Sequence, residues 1–296
     1  MTGAAAEKAT RRLTVAIEGG DVALLRFGRD GAAPLLFAHA NGFCASAYRR
    51  VFMHLGARFD IFAVDLRGHG RTRLPAQPAG HRSMAIFGDD LRRVAAALAP
   101  QLRGRGVILA GHSLGGVAAL KAAAGEAGVA AIRLIEPVAM PDAWNALART
   151  PLWPLIAPRI PLVRAAARRR SRWPDRQTVL ESYARKPFFA GWESGVLADY
   201  LEDGLADEAD GVRLACSPAW EAANFAAQAN DLWGALARAQ APVSVLAARH
   251  PSSTVPKGAE ARFRRLGAQV ERLSGQTHLL PFENPARAAQ FLGAPI

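Results

Sequence analysis

The stretch that decides the fold reads Val107-Ile-Leu-Ala-Gly-His-Ser113-Leu-Gly-Gly-Val-Ala-Ala-Leu120. A short apolar run ends abruptly in Gly-His-Ser-Leu-Gly and is followed at once by an alanine-rich segment, which predicts a strand, a sharp turn and a helix. Gly111 and Gly115 lack the Cβ atoms that would clash with the neighbouring strand and helix in so tight a turn. The hydroxyl of Ser113 would project from this turn, beside helix N–H groups able to bind a developing oxyanion.

Length and composition predict one large hydrophobic core. The chain has 296 residues, 50% hydrophobic and 21% charged, which favours a single domain with an inserted subdomain. No run of about 18 apolar residues occurs, so the sequence predicts no membrane-spanning helix. Residues 1–11 lack the apolar core of a signal peptide, which indicates a disordered lead and a cytoplasmic protein. The two cysteines, Cys44 and Cys216, are expected to be buried free thiols.

The formal net charge of +12 comes mostly from arginine. Such a charge suits a nucleic acid, a membrane or an anionic substrate, but arginine and alanine are frequent along the whole chain, which favours a compositional origin. The local exception is a cluster of seven arginines between residues 159 and 176. No aromatic residues interleave there to stack on bases, so we interpret this arginine cluster as a solvated helix face or an interface, with anion binding left open.

Strands and helices are predicted to alternate in the first half of the chain. Residues 12–17 and 21–27 are typical of an antiparallel hairpin turned by Gly19-Gly20. Further strands are predicted at 34–39, 60–65 and 131–135, and helices at 45–57 and 83–98, the latter with Ser83 as N-cap. This alternation predicts a parallel sheet covered by helices on both faces.

The alternation breaks between residues 138 and 231, a segment that holds five of the six tryptophans. Helices are predicted there at 178–185, 194–205 and 220–227, without a strong strand. We interpret residues 138–231 as an inserted helical lid between the core segments 12–137 and 232–296. In the second core segment, strands are predicted at 243–247 and 269–273, and helices at 257–266 and 285–292.

The Gly-x-Ser-x-Gly turn between a strand and a helix resembles the nucleophile elbow of the α/β-hydrolase superfamily, in particular its lidded branch of serine esterases. The resemblance covers the chain outside the lid. It implies the α/β-hydrolase fold, with a mostly parallel eight-stranded sheet, helices on both faces and an inserted helical lid. Haloalkane dehalogenases and epoxide hydrolases, which are similar to this branch, use an aspartate nucleophile, and Ser113 argues against both.

A serine hydroxyl needs a base within hydrogen-bond reach, and the base needs an orienting acid. In open α/β sheets such residues lie on loops at the carboxyl ends of strands. His278 follows the last predicted strand and precedes Leu-Leu-Pro, as in the terminal histidine loop that the sequence resembles. We therefore predict His278 as the general base.

The position of the acid in the sequence departs from the pattern that is common in the family. The loop after the penultimate strand usually carries an aspartate, but residues 247–256 contain no carboxylate. A minority arrangement in the family places the acid after the strand that follows the elbow helix, where Glu136 stands. Glu136 is therefore the predicted acid, with an arginine salt bridge or a lid-hinge role as alternatives, and Asp142 and Asp231 as fallback acids.

The resemblance also implies an oxyanion hole. One donor is the N–H of Leu114, and the second is expected from the loop His39-Ala-Asn-Gly-Phe43, which resembles the family's His-Gly oxyanion loop. Phe43 N–H is the predicted second donor. The Asn41 side chain is an alternative donor, and a plain turn is the remaining interpretation.

These residues predict a serine hydrolase that cleaves a carboxylic ester of a small, apolar substrate through a Ser113–His278–Glu136 triad and an acyl-enzyme. Hydrolysis of a lactone, a thioester or a carbon–carbon bond, and acyl transfer to an alcohol, stay open on the same triad. A catalytically weak, hydrolase-like binding protein is the alternative from another class. No metal, organic cofactor or nucleic acid is implied, and the sequence leaves open whether the chain forms a homo-oligomer.

Overall fold

A computed structural model describes residues 10–296 and centres on an eight-stranded sheet in the order β1-β2-β4-β3-β5-β6-β10-β11. The strands are β1 (Arg11–Ile17), β2 (Gly20–Gly28), β3 (Ala33–Ala38), β4 (Phe59–Val64), β5 (Val107–His112), β6 (Val129–Ile135), β7 (Arg172–Trp173), β8 (Leu205–Glu208), β9 (Gly211–Leu214), β10 (Val243–Ala248) and β11 (Gln269–Leu273). In the large sheet, β1 pairs antiparallel with β2 and β2 with β4, whereas the other pairs are parallel. The predicted fold class is confirmed.

Helices cover both faces of the large sheet, and further helices build the segment 138–231. They are α1 (Arg49–Leu55), α2 (Ala85–Ala97), α3 (Ala99–Leu102), α4 (Leu114–Ala123), α5 (Asp142–Ala148), α6 (Trp153–Ile156), α7 (Pro161–Ala167), α8 (Arg176–Ala184), α9 (Val196–Gly204), α10 (Pro218–Ala226), α11 (Leu232–Ala237), α12 (Lys257–Arg265), α13 (Leu280–Glu283) and α14 (Pro285–Leu292). Because side chains alternate along a strand, Leu36 of β3 packs with α2 and α4, while Leu35 and Phe37 pack with α1 and α14. Burial on both faces explains the continuous apolar strand sequences.

The segment 138–231, called the cap below, lies between β6 and the helix that precedes β10. The sequence predicts helices alone for it, and this is wrong in one respect, because β7, β9 and β8 form a three-stranded antiparallel sheet. Gly211 permits this sheet, since a Cβ there would lie 2.2 Å from the carbonyl oxygen of Trp173. The strands have only two to four residues each, too few for an alternating pattern to stand out.

Most predicted elements are confirmed with small shifts at their ends, and β11 and α14 match without a shift. The prediction of Ser83 as N-cap is wrong: α2 begins at Ala85 after Met84, and the Ser83 hydroxyl donates to the side-chain oxygen of Asn230. Of the predicted disordered lead, residues 1–9 lie outside the described residues, and β1 begins at Arg11.

Both cysteines are buried and unpaired, as predicted. Between residues 10 and 296, no helix combines the length and apolar character needed to cross a bilayer.

Candidate active site

Ser113 stands at the turn between β5 and α4 in a strained backbone conformation, with φ 56° and ψ −117°. Such a conformation is rare for residues other than glycine and is maintained by close packing. A Cβ at Gly111 would lie 2.2 Å from the carbonyl oxygen of Gly115, and a Cβ at Gly115 would lie 2.1 Å from that of Ala38. Both glycines are therefore needed for the turn, as the sequence predicts.

His278 lies on the loop between β11 and α13, beside Ser113. Its Nε2 is 3.1 Å from Ser113 Oγ, and its Nδ1 is 3.0 Å from Glu136 Oε2. The structure therefore brings the three predicted residues together from loops that follow three different strands. When Nδ1 donates its proton to Glu136, Nε2 is left to accept the proton of the Ser113 hydroxyl.

Glu136, the residue that follows β6, is fully buried and has a positive φ of 47°. Its Oε1 accepts the hydroxyl of Ser253 at 2.9 Å, and its Oε2 accepts the N–H of Thr254 at 2.9 Å. Burial alone would raise the pKa of Glu136, but the hydrogen bonds from His278, Ala248 and Thr254 outweigh it and lower the pKa below its ordinary value. The carboxylate is therefore ionised where it faces His278.

The loop after β10 contains no carboxylate, and its residues instead donate hydrogen bonds to Glu136. Besides the bonds to the carboxylate, the Thr254 hydroxyl donates to the backbone oxygen of Glu136 at 2.7 Å. Sequence reasoning missed Ser253 and Thr254. The available signal was a Ser-Ser-Thr run at the carboxyl end of a strand, where hydroxyl groups can satisfy a buried carboxylate.

The structure does not favour the other interpretations of Glu136 or the other candidate acids. Among residues 10–296, no arginine pairs with Glu136, so the alternative of an arginine salt bridge is wrong. Asp142 pairs with Arg262, and Asp231 caps α11 by accepting the N–H of Gly234 at 2.9 Å. The fallback acids therefore serve other parts of the structure.

The loop after β3 approaches the start of α4, because Gly115 packs against the carbonyl groups of Ala38 and His39. Three of its N–H groups have acceptors. Ala40 donates to Tyr48 Oη at 3.0 Å, Gly42 to His69 Nε2 at 3.1 Å and Phe43 to Ala40 O at 3.2 Å. Phe43 N–H, the predicted oxyanion donor, is thus engaged within its own turn.

The backbone N–H of Asn41 lies between the donors of Ala40 and Gly42 in this loop. Between residues 10 and 296, neither this N–H nor that of Leu114 has a hydrogen-bond acceptor. A buried N–H without an acceptor is costly, and Asn41 is only 7% exposed. The backbone N–H of Asn41 is therefore a better candidate than that of Phe43 for the second oxyanion donor.

The side chain of Asn41, the other predicted donor, binds the cap instead. Its Nδ2 donates to the carbonyl oxygen of Glu221 at 3.0 Å, and its Oδ1 accepts Nδ2 of Asn224 at 2.9 Å. Both partners belong to α10, and Asn224 is fully buried. The cap therefore holds the loop from which the Asn41 N–H projects.

A second link between cap and loop runs through a half-buried arginine. Arg169 donates to the Glu221 carboxylate at 2.9 Å and to Tyr200 Oη at 3.0 Å, and Tyr200 donates to the carbonyl oxygen of Gly42 at 3.1 Å. Burial alone would lower the pKa of Arg169, but Tyr200 and Glu221 raise it above its ordinary value. One member of the arginine cluster is therefore an internal structural ion.

His112 connects the loop after β3 to the loop of His278. Burial lowers the pKa of His112, so the ring is neutral. Its Nε2 is 2.9 Å from the carbonyl oxygen of His278 and must donate there, which leaves Nδ1 to accept the hydroxyl of Tyr48 at 2.7 Å. Tyr48 in turn accepts the N–H of Ala40, so one chain of hydrogen bonds connects both loops.

The fold and this arrangement define a class of protein, and comparison with family models identifies it. Residues 35–291 match the model described as the alpha/beta hydrolase family. The chain belongs to the α/β hydrolase family. Membership supports hydrolase chemistry as its general class of activity.

Solved structures with similar folds come from several hydrolases. E-2-(acetamidomethylene)succinate hydrolase is 22% identical, with 95% of this chain and 97% of that chain covered and a TM-score of 0.72. The thioesterase domain from the curacin biosynthetic pathway is 19% identical, with coverages of 97% and 100% and a TM-score of 0.73. A thermophilic esterase from Thermogutta terrifontis is 20% identical, with coverages of 95% and 96% and a TM-score of 0.66. These similarities show a shared fold, and the search of curated proteins finds no match.

Proposed function

We propose that this chain is a serine hydrolase that cleaves a carboxylic ester, or a related acyl bond, of a small substrate through an acyl-enzyme. The observation that carries the proposal is the line Ser113–His278–Glu136, with contacts of 3.1 and 3.0 Å. A base at hydrogen-bond distance from the hydroxyl, itself oriented by a buried carboxylate, is the arrangement that activates a serine.

In the proposed mechanism, His278 takes the proton of Ser113 as Oγ attacks the substrate carbonyl carbon. The N–H groups of Leu114 and Asn41 bind the oxyanion, and Glu136 stabilises the imidazolium. His278 then protonates the leaving alcohol, and the acyl group stays on Ser113. Water, deprotonated by His278, attacks the acyl-enzyme, and Ser113 recovers its proton as the carboxylic acid leaves.

Aromatic side chains in and beside the loop 39–43 support an apolar substrate. The ring of Phe43 lies 4.8 Å from that of Phe282 and 5.8 Å from that of Trp192 in the cap. Phe282 is fully buried, whereas the rings of Phe43 and Trp192 are partly exposed and favour apolar acyl or aromatic groups over charged ones. We further propose that residues 138–231 act as the lid over this site.

The same triad would serve thioesters, lactones, carbon–carbon bonds or acyl transfer, and the structural relatives differ in just this respect. A thioesterase domain and an esterase share the fold at similar TM-scores. Fold similarity therefore does not select the bond. We place esters first, and a panel of oxygen esters and thioesters with matched acyl chains would rank the two classes by kcat/KM.

Intact mass after brief exposure to a fluorophosphonate probe tests the proposal. The expected result is a single adduct on the wild type and none on Ser113→Ala, because the probe needs an activated serine and an oxyanion hole. No adduct on folded wild-type protein would contradict the proposal and favour the hydrolase-like binding protein.

A further inference from the structure

The outer side of the cap helices α5, α6 and α7 combines apolar and basic side chains. Residues 143–174 contain seven arginines and no aspartate or glutamate. Four of the eight large hydrophobic side chains exposed in residues 10–296 also lie here. They are Trp144, Leu152, Leu155 and Leu162, with exposures of 38%, 58%, 63% and 53%. We call the exposed part of residues 143–174 the cap surface.

Helical spacing places the leucines away from the core. In and after α6, Trp153 and Ala157 are buried four positions apart, so they share the inner face. Leu152, Leu155 and Arg159 are exposed at spacings of three and four and therefore share the outer face.

Helix α7 continues this surface after α6 and the four connecting residues 157–160. It buries Val163 and Ala166 against Ala222 of α10 and leaves Leu162 exposed. The apolar character also extends inward. A groove of about 340 Å³ opens between α6, α7, α10 and the loop 78–82, and apart from His81 and Arg82 its lining is apolar or glycine.

The positive charge of the cap surface is mostly uncompensated. Arg169 pairs with Glu221, and Arg172 pairs with Glu208. The other five arginines of residues 143–174 are exposed and form no ion pair with any residue from 10 to 296. They are Arg149, Arg159, Arg164, Arg168 and Arg170.

We infer that the cap surface docks on an anionic lipid bilayer, with the leucines in the interface and the arginines on lipid phosphates. Exposed leucines beside unpaired basic residues are the composition of segments that lie in a membrane interface. This inference goes beyond the proposed hydrolysis and does not depend on it.

Two other occupants fit the surface less well. A second copy related by two-fold symmetry would bring the unpaired arginines of both copies together, with no carboxylate in residues 143–174 to separate them. A nucleic acid would use the arginines but leave the three exposed leucines unsatisfied, and only one large aromatic side chain, Trp144, is exposed there for stacking.

Co-sedimentation with lipid vesicles tests the inference, using the full chain with Ser113→Ala so that hydrolysis cannot alter the vesicles. We expect binding to phosphatidylcholine vesicles that contain about one-third phosphatidylglycerol, weakening with salt, and little binding to pure phosphatidylcholine. Adding Leu152→Ser with Leu155→Ser should lower the partition coefficient about tenfold or more. Adding Arg164→Glu with Arg168→Glu should do the same.

The matched control combines Met53→Ser with Arg29→Glu. These residues are an exposed apolar and an exposed basic side chain outside the cap. It should bind like the parent. Thermal melting checks that every variant is folded. Equal binding to neutral and anionic vesicles, or unchanged binding of both cap variants, would overturn the inference. In the absence of vesicle binding, two further results would overturn the inference. One is a dimer that dissociates when the leucines are changed, and the other is binding to duplex DNA that is lost when the arginines are changed.

Discussion

The buried carboxylate of Glu136 orients His278 through a contact of 3.0 Å and receives further hydrogen bonds from Ser253 and Thr254. Glu136→Gln keeps the size of this side chain but replaces one oxygen by an NH₂ group. If the NH₂ group faces Nδ1 of His278, two donors oppose each other. If it faces the other way, it meets the donors Ala248 N–H and Ser253 Oγ and has no acceptor. In both cases the tautomer that leaves Nε2 free is no longer favoured.

We therefore expect Glu136→Gln to lower kcat by about 10⁴-fold while the protein stays folded. Hydrolysis of a p-nitrophenyl ester and the melting temperature would be measured together. Asp142→Asn is the matched control, because Asp142 is a carboxylate of the cap that pairs with Arg262 and should leave kcat unchanged. Equal activity of Glu136→Gln and the wild type would remove Glu136 from the mechanism.

The strand–turn–helix element around Ser113 depends on glycine where β5 and α4 meet β3. Gly115→Ala would put a Cβ 2.1 Å from the carbonyl oxygen of Ala38, a backbone atom with little freedom to move. We expect a loss of about 2 to 3 kcal/mol in the free energy of unfolding, measured in urea.

Gly258→Ala is the control for this change, because a Cβ at Gly258 in α12 meets no atom within 4 Å. Alanine favours a helix over glycine, so this variant should be neutral or more stable by up to about 1 kcal/mol. A Gly115→Ala protein as stable as Gly258→Ala would mean that the turn tolerates a side chain.

Helix α10 contacts the loop after β3 through Asn224, which donates to Asn41 Oδ1 at 2.9 Å. Asn224→Ala removes this contact without touching Ser113, His278 or Glu136. Because small displacements of an oxyanion donor are costly, we expect kcat to fall about tenfold or more with KM little changed. The rate of fluorophosphonate labelling should fall in parallel.

Gln228→Ala provides the comparison for Asn224→Ala. Gln228 is also a buried amide near the end of α10, but it donates to the carbonyl oxygen of Phe225 within the cap. Its loss should lower stability and leave kcat unchanged. A similar loss of kcat in both variants would mean that the effect comes from general weakening of the cap.

At the scale of the whole molecule, the cap and the core share a hydrophobic cluster on one face of the large sheet. A single hydrophobic cluster contains Phe37 and Phe52 of the core together with Trp173, Tyr183 and Tyr200 of the cap. The free energy of unfolding should therefore respond to buried groups of either part. Asp65 is such a group, buried in the core where it accepts the N–H groups of Ala45 and Arg71 at 2.8 and 2.9 Å.

Burial raises the pKa of Asp65 from 3.8 to about 7. The folded protein thus holds this proton to higher pH than the unfolded chain does. This tighter binding of the proton stabilises the folded protein. Its contribution to the free energy of unfolding is complete below pH 3.8 and is lost as the pH rises to about 7. Within that window, the contribution of Asp65 to the free energy of unfolding should fall by about 1.4 kcal/mol per pH unit.

Urea unfolding of the wild type and Asp65→Asn at several pH values isolates this contribution, since other titrating groups are common to both proteins. The amide leaves one of the two backbone donors without an acceptor, a cost that does not vary with pH. The free energy of unfolding of the wild type minus that of Asp65→Asn should therefore fall as the pH rises across the window. A difference independent of pH would show that Asp65 titrates alike in both states.

Much of the fold and the positions of Ser113, Glu136 and His278 were predictable because they depend on local patterns. Apolar runs predict the buried strands, glycine spacing predicts the turn at Ser113, and parallel strands bring their carboxyl ends to one edge. The short cap strands and the acceptor of Phe43 N–H were not predictable, since neither leaves a local pattern.

The sequence by itself determined the large sheet, the strained turn and the residues delivered to its edge, because each follows from side-chain periodicity or from a missing Cβ. Only the tertiary structure decided which N–H groups stay free, which donors satisfy Glu136 and which arginine is internal. Those outcomes depend on contacts such as that of Asn41 with Glu221, 180 positions apart. Hydrogen bonds over such separations are set by how the cap packs on the core, which no local pattern encodes.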